Sequence, residues 1–180
     1  QHIELARDIA ERFNGIYGNV FTVPEPYIPK QGAKIYSLSD PTVKMSKTDP
    51  DPNAAVSIID DPDTIMRKFK RAVTDSGNEI RTGEDKPGIT NLLNIYAEMT
   101  GKDIKDAEAE FQGKGYAEFK KAVAESVIER LRPVKEKYES LIKDKAYLLQ
   151  VAKEGADKAR YIAARTLSKV YKKVGLVLPE

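Results

Sequence analysis

Apolar residues recur at helical spacing near the start of this 180-residue chain and again through its last two thirds, while residues 20 to 60 carry no such period. Ile3, Ala6, Ile9, Ala10 and Phe13 share one face at 3.6-residue spacing, which predicts an opening amphipathic helix broken by Gly15 and Gly18. The irregular stretch holds Pro24, Pro26, Pro29, Pro41, Pro50 and Pro52. It leaves room for one short strand around Ala33 to Leu38 and an extended piece at Ala55 to Ile59.

Beyond residue 60 the pattern is helical. Asp61 is placed as an N-cap with Pro62 at the first helical position, opening a helix to about Thr74. A polar loop covers residues 76 to 87. The next helix starts at Pro87 or Gly88, carries Ile89, Leu92, Leu93, Tyr96 and Met99 on one face, and ends at Gly101. A short helix from about Ile104 to Phe111 closes at Gly113. Two long helices follow. The first bears the stripe Phe119, Val123, Val127, Leu131, Val134, Tyr138 and Leu141, with a kink expected at Pro133. The second bears Leu148, Ala152, Ala159, Ile162, Thr166, Val170 and Val174; both stripes are expected as core seams.

Composition narrows this picture mainly by exclusion. Lys and Arg number 30 against 28 Asp and Glu, so a net charge of +2 points to no class of partner, and a nucleic-acid face must come from local clustering. There is no cysteine and only one histidine, which excludes disulfides, thiolate zinc and multi-histidine metal sites. No apolar run approaches the roughly 18 residues of a membrane span, and the expectation is a cytoplasmic protein with no membrane partner. Gln1-His2 runs straight into a helix, so the chain is expected to be the C-terminal portion of something longer.

Candidate chemistry concentrates in Lys44-Met45-Ser46-Lys47-Thr48, flanked by Asp40-Pro41-Thr42 and Asp49-Pro50-Asp51-Pro52-Asn53. Two lysines three positions apart, with hydroxyls at Ser46 and Thr48, form a donor cluster suited to phosphate oxygens. The segment resembles the Lys-Met-Ser-Lys-Ser signature of class I aminoacyl-tRNA synthetases, with Thr48 keeping the hydroxyl of the last serine. Ile28-Pro29-Lys30 through Asp40-Pro41-Thr42 resembles the lead-in of the tryptophanyl branch. Ala72 to Ser76, Lys86 to Leu93, Phe111 to Tyr116, Leu131 to Pro133 and Gly155 to Ala159 follow in that family's order.

The resemblance implies a mainly α fold: the tail of a Rossmann-like α/β catalytic domain over residues 1–60, then a helical anticodon-binding domain over 61–180. It implies tryptophan–tRNA ligase activity in the intact enzyme, with ATP and its Mg2+ counter-ion, tryptophan and tRNA(Trp) as substrates, a homodimeric parent and no protein-bound metal. Lys44 and Lys47 would be catalytic. Ile35, Met45, Ser46 and Thr48 would contact ATP, Ile35 and Met45 bracketing the adenine. His2 would lie near substrate. A tyrosyl-tRNA synthetase relative and a stand-alone tRNA-binding helical module remain as alternatives, because residues setting amino-acid specificity are not in the chain.

Two further readings bear on partners and activity. Arg165, Lys169, Lys172 and Lys173 lie toward one side of the last helix, where a basic stripe could track tRNA phosphates or simply complement the helix dipole. The His-Ile-Gly-His signature of class I enzymes, and its Thr-Ile-Gly-Asn-like variant, do not occur. Ile16-Tyr17-Gly18-Asn19 echoes the latter but ends a helix instead of starting one. The chain by itself is therefore expected to be inactive.

Overall fold

The computed structural model describes residues 1–28 and 34–177. Among them are six helices: α1 (His2–Tyr17), α2 (Pro62–Arg71), α3 (Pro87–Thr100), α4 (Ile104–Glu110), α5 (Tyr116–Leu141) and α6 (Lys145–Val174). The chain divides into two compact units, Pro29–Ser140 and a second made of Gln1–Ile28 with Leu141–Glu180. Pro29 and Lys30 of the family-like lead-in, and Ala33 of the expected strand, lie outside the described residues.

In the unit formed by both chain ends, α1 runs through Gly15 and stops only at Gly18, whose φ of 84° is open to glycine at little cost. Gly15 does not break the helix as its residue type predicts, because one glycine inside an otherwise favourable run costs only about 1 kcal/mol. Asn14 folds the chain back: its Nδ2 donates to the Phe21 carbonyl, and its Oδ1 accepts from the Val20 and Phe21 N–H groups. Phe13 then packs on Tyr17 and Phe21, with ring centroids 4.8 and 4.9 Å away. Asp144 caps α6 by accepting from the Tyr147 N–H. No residue of α6 is buried, and Ile162 keeps 66% of its surface exposed. The α6 stripe is thus not a core seam here. Amphipathic spacing marks a face that needs cover, but the described residues of this unit include no second long helix besides α1 and no sheet to provide it.

The 29–140 unit holds the core. Asp61 accepts from the Thr64 N–H and Pro62 occupies the first turn, so α2 begins where capping signals place it. It ends at Arg71, short of Thr74, because the Val73 N–H leaves the helix to donate to the Leu38 carbonyl at 2.7 Å. Lys120 of α5 then donates to the Ala72 carbonyl. Helix α3 is the central element, with Ile89, Leu92 and Leu93 fully enclosed. Its N-terminus lies against the chain at Val73: a methyl on Gly88 would come within 2.3 Å of the Val73 carbonyl oxygen. Gly101, at φ 71°, ends it in the left-handed conformation. An edge-to-face series, Tyr96 to Phe111 at 5.0 Å and Phe111 to Phe119 at 4.8 Å, joins α3, α4 and α5. Helix α5 continues through Pro133; its buried stripe is Phe119, Val123 and Val127, while Val134 and Tyr138 are exposed.

The irregular segment differs from expectation in two places. In the described part of 33–38, the only pairing is one antiparallel bridge, Tyr36 with Lys44. The run cannot lengthen into a ladder because Leu38 turns away to donate to the Ala54 carbonyl and accept from Val73. Residues 55–59 form a bend and a turn instead of an extended piece. The Asp60 side chain accepts from the Ser57 N–H, and the Ser57 carbonyl accepts from the Asp60 N–H.

Candidate nucleotide-phosphate loop

The Lys44–Thr48 segment is the outer end of a loop whose two ends are tied together. At the base, the Leu38 N–H donates to the Ala54 carbonyl at 2.9 Å, and the Ser39 hydroxyl bonds the Asp51 carboxylate. All three Asp-Pro corners, at Asp40, Asp49 and Asp51, are held by the aspartate side chains. Asp40 accepts from the N–H and hydroxyl of Thr42, Asp49 from the Asp51 N–H, and Asp51 from Asn53. These bonds hold the Asp40 and Asp51 carboxyls below the usual carboxylate range, led by the Thr42 hydroxyl in one case and the Ser39 hydroxyl in the other. Inside the loop, the Ser46 and Thr48 hydroxyls lie 3.0 Å apart.

Lys44 and Lys47 are exposed, and neither forms an ion pair among the described residues. Left without acidic partners, these two ammonium groups keep their charge available to an incoming anion. Beside Lys47 opens a cleft of about 440 Å³, bounded by Ser46, Asp49, Asp51, Ser57 and Lys68. Its far wall is fixed by Lys68, buried on α2, which donates to the Ala55 carbonyl and the Asp60 carboxylate, both at 2.7 Å.

Ile35 and Met45 pack against the core of the 29–140 unit, around an apolar cavity of about 280 Å³ shared with Met99, Val127 and Leu131. Ser46 and Thr48 are exposed beside the lysines. His2 is exposed at the start of α1 and falls in the other unit, as do Arg165, Lys169, Lys172 and Lys173. Those four basic residues are also exposed, with the Arg165 guanidinium 5.6 Å above the Tyr161 ring.

Three enclosed polar side chains, two of them inside the family-like Lys86 to Leu93 stretch, show what they hold only in the structure. Lys68 is one. Asn91 of α3 is another: 3% exposed, it accepts from the Tyr36 N–H and donates to the Tyr36 carbonyl, both at 2.9 Å. The third is Lys86, 6% exposed, which bonds Asp75 at 2.9 Å and the Tyr116 hydroxyl at 3.0 Å. Burial pushes the Asp75 carboxyl up, but bonds from Lys86, Tyr116 and the Gly77 N–H outweigh it and hold the group at about 2. This clip closes the 75–86 loop. Next to it, Asn78, Arg81, Lys105, Glu108 and Gln112 bound a polar cleft of about 510 Å³.

Comparison with known proteins gives this loop a context. Residues 1–132 match the family model described as tRNA synthetases class I (W and Y). The tryptophan–tRNA ligase of Clostridium acetobutylicum is 49% identical over 180 residues, which is 100% of this chain and 54% of that protein. The crystal structure of tryptophanyl-tRNA synthetase from Mycoplasma pneumoniae superposes with a TM-score of 0.88 at 28% identity, covering 98% of this chain and 53% of that one. The Campylobacter jejuni synthetase, crystallised with ADP and tryptophan, gives a TM-score of 0.65 at 30% identity over 97% and 54% of the two chains. The chain spans about half the length of the curated relatives it matches. With its lysine loop, helical core and a family match over most of its length, the chain belongs to the class I tRNA synthetases of the tryptophan and tyrosine group.

Proposed function

We propose that this chain is the C-terminal part of a tryptophan–tRNA ligase, which activates tryptophan with ATP and transfers it to tRNA(Trp). The observation that carries this reading is the Lys44–Thr48 loop: two exposed, unpaired lysines on a segment tied at its base beside an open cleft. Adenylate formation is attack by the amino-acid carboxylate on the α-phosphorus of ATP, with pyrophosphate as leaving group. Catalysis is then largely placement and neutralisation of charge growing on the leaving phosphates. Lys44 and Lys47 supply that charge, Ser46 and Thr48 supply hydroxyl donors, and Mg2+ enters as the counter-ion of ATP. Tryptophan is favoured over tyrosine because full-chain relatives near 50% identity are tryptophan–tRNA ligases.

Residues 1–60 belong to the catalytic domain in this reading and residues 61–180 to the tRNA-binding one. Arg165, Lys169, Lys172 and Lys173 form a basic face suited to the tRNA backbone. The cleft at Asn78 and Gln112 offers side-chain amides of the kind that read an unpaired base, while the Arg81 guanidinium there is already paired with Asp85 and Glu79. The intact protein is a cytoplasmic homodimer; Ile35 and Met45 line the adenine side of the loop, and His2 lies near substrate.

The test is Lys47→Ala in the full-length protein. Losing a transition-state charge donor lowers tryptophan-dependent pyrophosphate exchange by about 10² to 10³, or roughly 3–4 kcal/mol. Ground-state ATP binding suffers less. Exchange at the parental rate overturns the phosphate role of Lys47.

A further inference from the structure

We propose that Asn91 is a positioning residue for the activation step: its side-chain amide stands in for a third strand beside Tyr36, so that helix α3 sets where Lys44 sits. The inference rests on the phosphate reading of the lysine loop.

Tyr36 and Lys44 face each other across the bridge between two flanking bonds, Ser37 N–H to the Val43 carbonyl at 2.8 Å and Met45 N–H to the Ile35 carbonyl at 2.9 Å. In antiparallel pairing, a residue between two such bonds points its own N–H and C=O away from its partner, toward the opposite edge. In a sheet, a third strand would take both groups. Here no strand does so among the described residues, and Asn91 takes them instead. Its Oδ1 accepts from the Tyr36 N–H and its Nδ2 donates to the Tyr36 carbonyl, each at 2.9 Å. An Asn amide carries one acceptor and two donors in one plane, which reproduces the edge of a peptide group.

Three further facts make this clamp a determinant of loop position. Asn91 is 3% exposed, so solvent is poorly placed to replace it if it moves. Its neighbours Leu92 and Leu93 are fully enclosed on the central helix, which leaves the amide little freedom. The bonds at Leu38–Ala54 and Ser39–Asp51 fix the ends of the loop but do not touch its Val43–Met45 arm. The register of that arm, and hence of Lys44, is held by its bonds to Ile35 and Ser37 and by the packing of Met45, and Asn91 anchors the Ile35–Ser37 segment at Tyr36 between those two bonds.

The experiment uses the full-length protein and tryptophan-dependent pyrophosphate exchange. Asn91→Ala removes both bonds. A displacement of about 1 Å in a charge donor can cost 10²-fold in rate, so kcat is expected to fall about 10- to 100-fold, with KM for ATP changing less than about threefold. Asn91→Asp keeps the shape and the acceptor for the Tyr36 N–H but cannot donate to the Tyr36 carbonyl; it is expected to lower kcat in a protein that still melts cooperatively. In a Lys44→Ala background, Asn91→Ala is expected to add less than about threefold, because the side chain it positions is gone. Tyr116→Phe is the structural control: it loosens the same helices by losing its bonds to Asp75 and Lys86 and leaves kcat unchanged.

If Lys44→Ala and Lys47→Ala both leave exchange at the parental rate, the phosphate reading fails and this inference goes with it. If those two variants impair exchange while both Asn91 variants do not, Asn91 only packs and the inference alone is overturned. It is overturned equally if the Asn91→Ala and Lys44→Ala losses multiply in full, or if Tyr116→Phe lowers kcat as far as Asn91→Ala does.

Discussion

Replacing Lys68 by methionine isolates the bond set that walls the cleft beside Lys47. Lys68 is 9% exposed at its side chain and Asp60 17%, with 2.7 Å between the ammonium and the carboxylate. Breaking a buried pair by removing one partner costs about 3–5 kcal/mol, mainly because the remaining charge is stranded. Asp60 keeps the Ser57 N–H and some contact with water, which lowers the figure, while the Ala55 carbonyl loses its donor, which raises it by about 1 kcal/mol. The methionine recovers most of the apolar stem. A loss of roughly 2–3 kcal/mol is expected, large against the usual total of about 5–15 kcal/mol. For a chain of this size that lowers Tm by roughly 5–10 °C. Urea unfolding followed by helical circular dichroism gives the free energy directly, as a shift in midpoint at constant slope. The double variant Lys68→Met with Asp60→Asn removes the stranded charge and is expected to lose about 1 kcal/mol less than the two singles added together. A single variant within about 0.5 kcal/mol of the parent, or strict additivity in the double, refutes the claim that this pair is buried and mutually dependent.

Three other outcomes are expected. Gly88→Ala gains about 1 kcal/mol of helix propensity but puts a methyl 2.3 Å from the Val73 oxygen and 3.1 Å from the Thr74 Cα, both main chain. A net loss near 2 kcal/mol should appear as a lower melting temperature, and an unchanged melt contradicts the close approach. In acid, Asp75, held at about 2 against 3.8 when unfolded, contributes stability that is fully present above about pH 5 and is lost as pH falls through 4 toward 2. Asp75→Asn should therefore flatten the decline in urea midpoint between pH 5 and pH 2.5; an unchanged slope means the clip does not stabilise the fold. On the proposed reading, the purified chain alone should show no tryptophan-dependent pyrophosphate exchange, because holding two substrates together contributes up to about 7–11 kcal/mol and the lysine loop would reach only the leaving phosphates. Exchange surviving Lys44→Ala and Lys47→Ala would trace it to a contaminating enzyme, and exchange abolished by them would place the active site within this chain.

What is legible in the sequence follows the range of the forces involved. The start of α2 is written in Asp61-Pro62 and the end of α3 in Gly101, because capping and left-handed turns are local. The lysine loop is legible for the same reason, as five consecutive residues. The strand predicted around Leu38 shrinks to a single bridge because its pairing is decided by Asn91, 55 positions from Tyr36, and by Val73. The stripe on α6 predicts a buried seam and is exposed instead, because periodicity reports a face and says nothing of what covers it. Lys68, Lys86 and Asn91 look like ordinary polar positions, and only their distant partners show why each is enclosed.

The facing hydroxyls of Ser46 and Thr48 carry a consequence for how the loop idles. At 3.0 Å one hydroxyl donates to the other, which engages one of their two hydrogens, and the Thr48 N–H rests on the Ser46 oxygen at 3.3 Å. On the phosphate reading, a small anion arriving alone meets one free hydroxyl hydrogen, and recruiting the second trades one hydrogen bond for another of similar strength. Stray phosphate therefore gains little from the hydroxyls and dwells briefly. Only a ligand already anchored elsewhere can hold its oxygens there long enough for the exchange to complete. On that reading the loop favours a tethered triphosphate over the free anions of its surroundings.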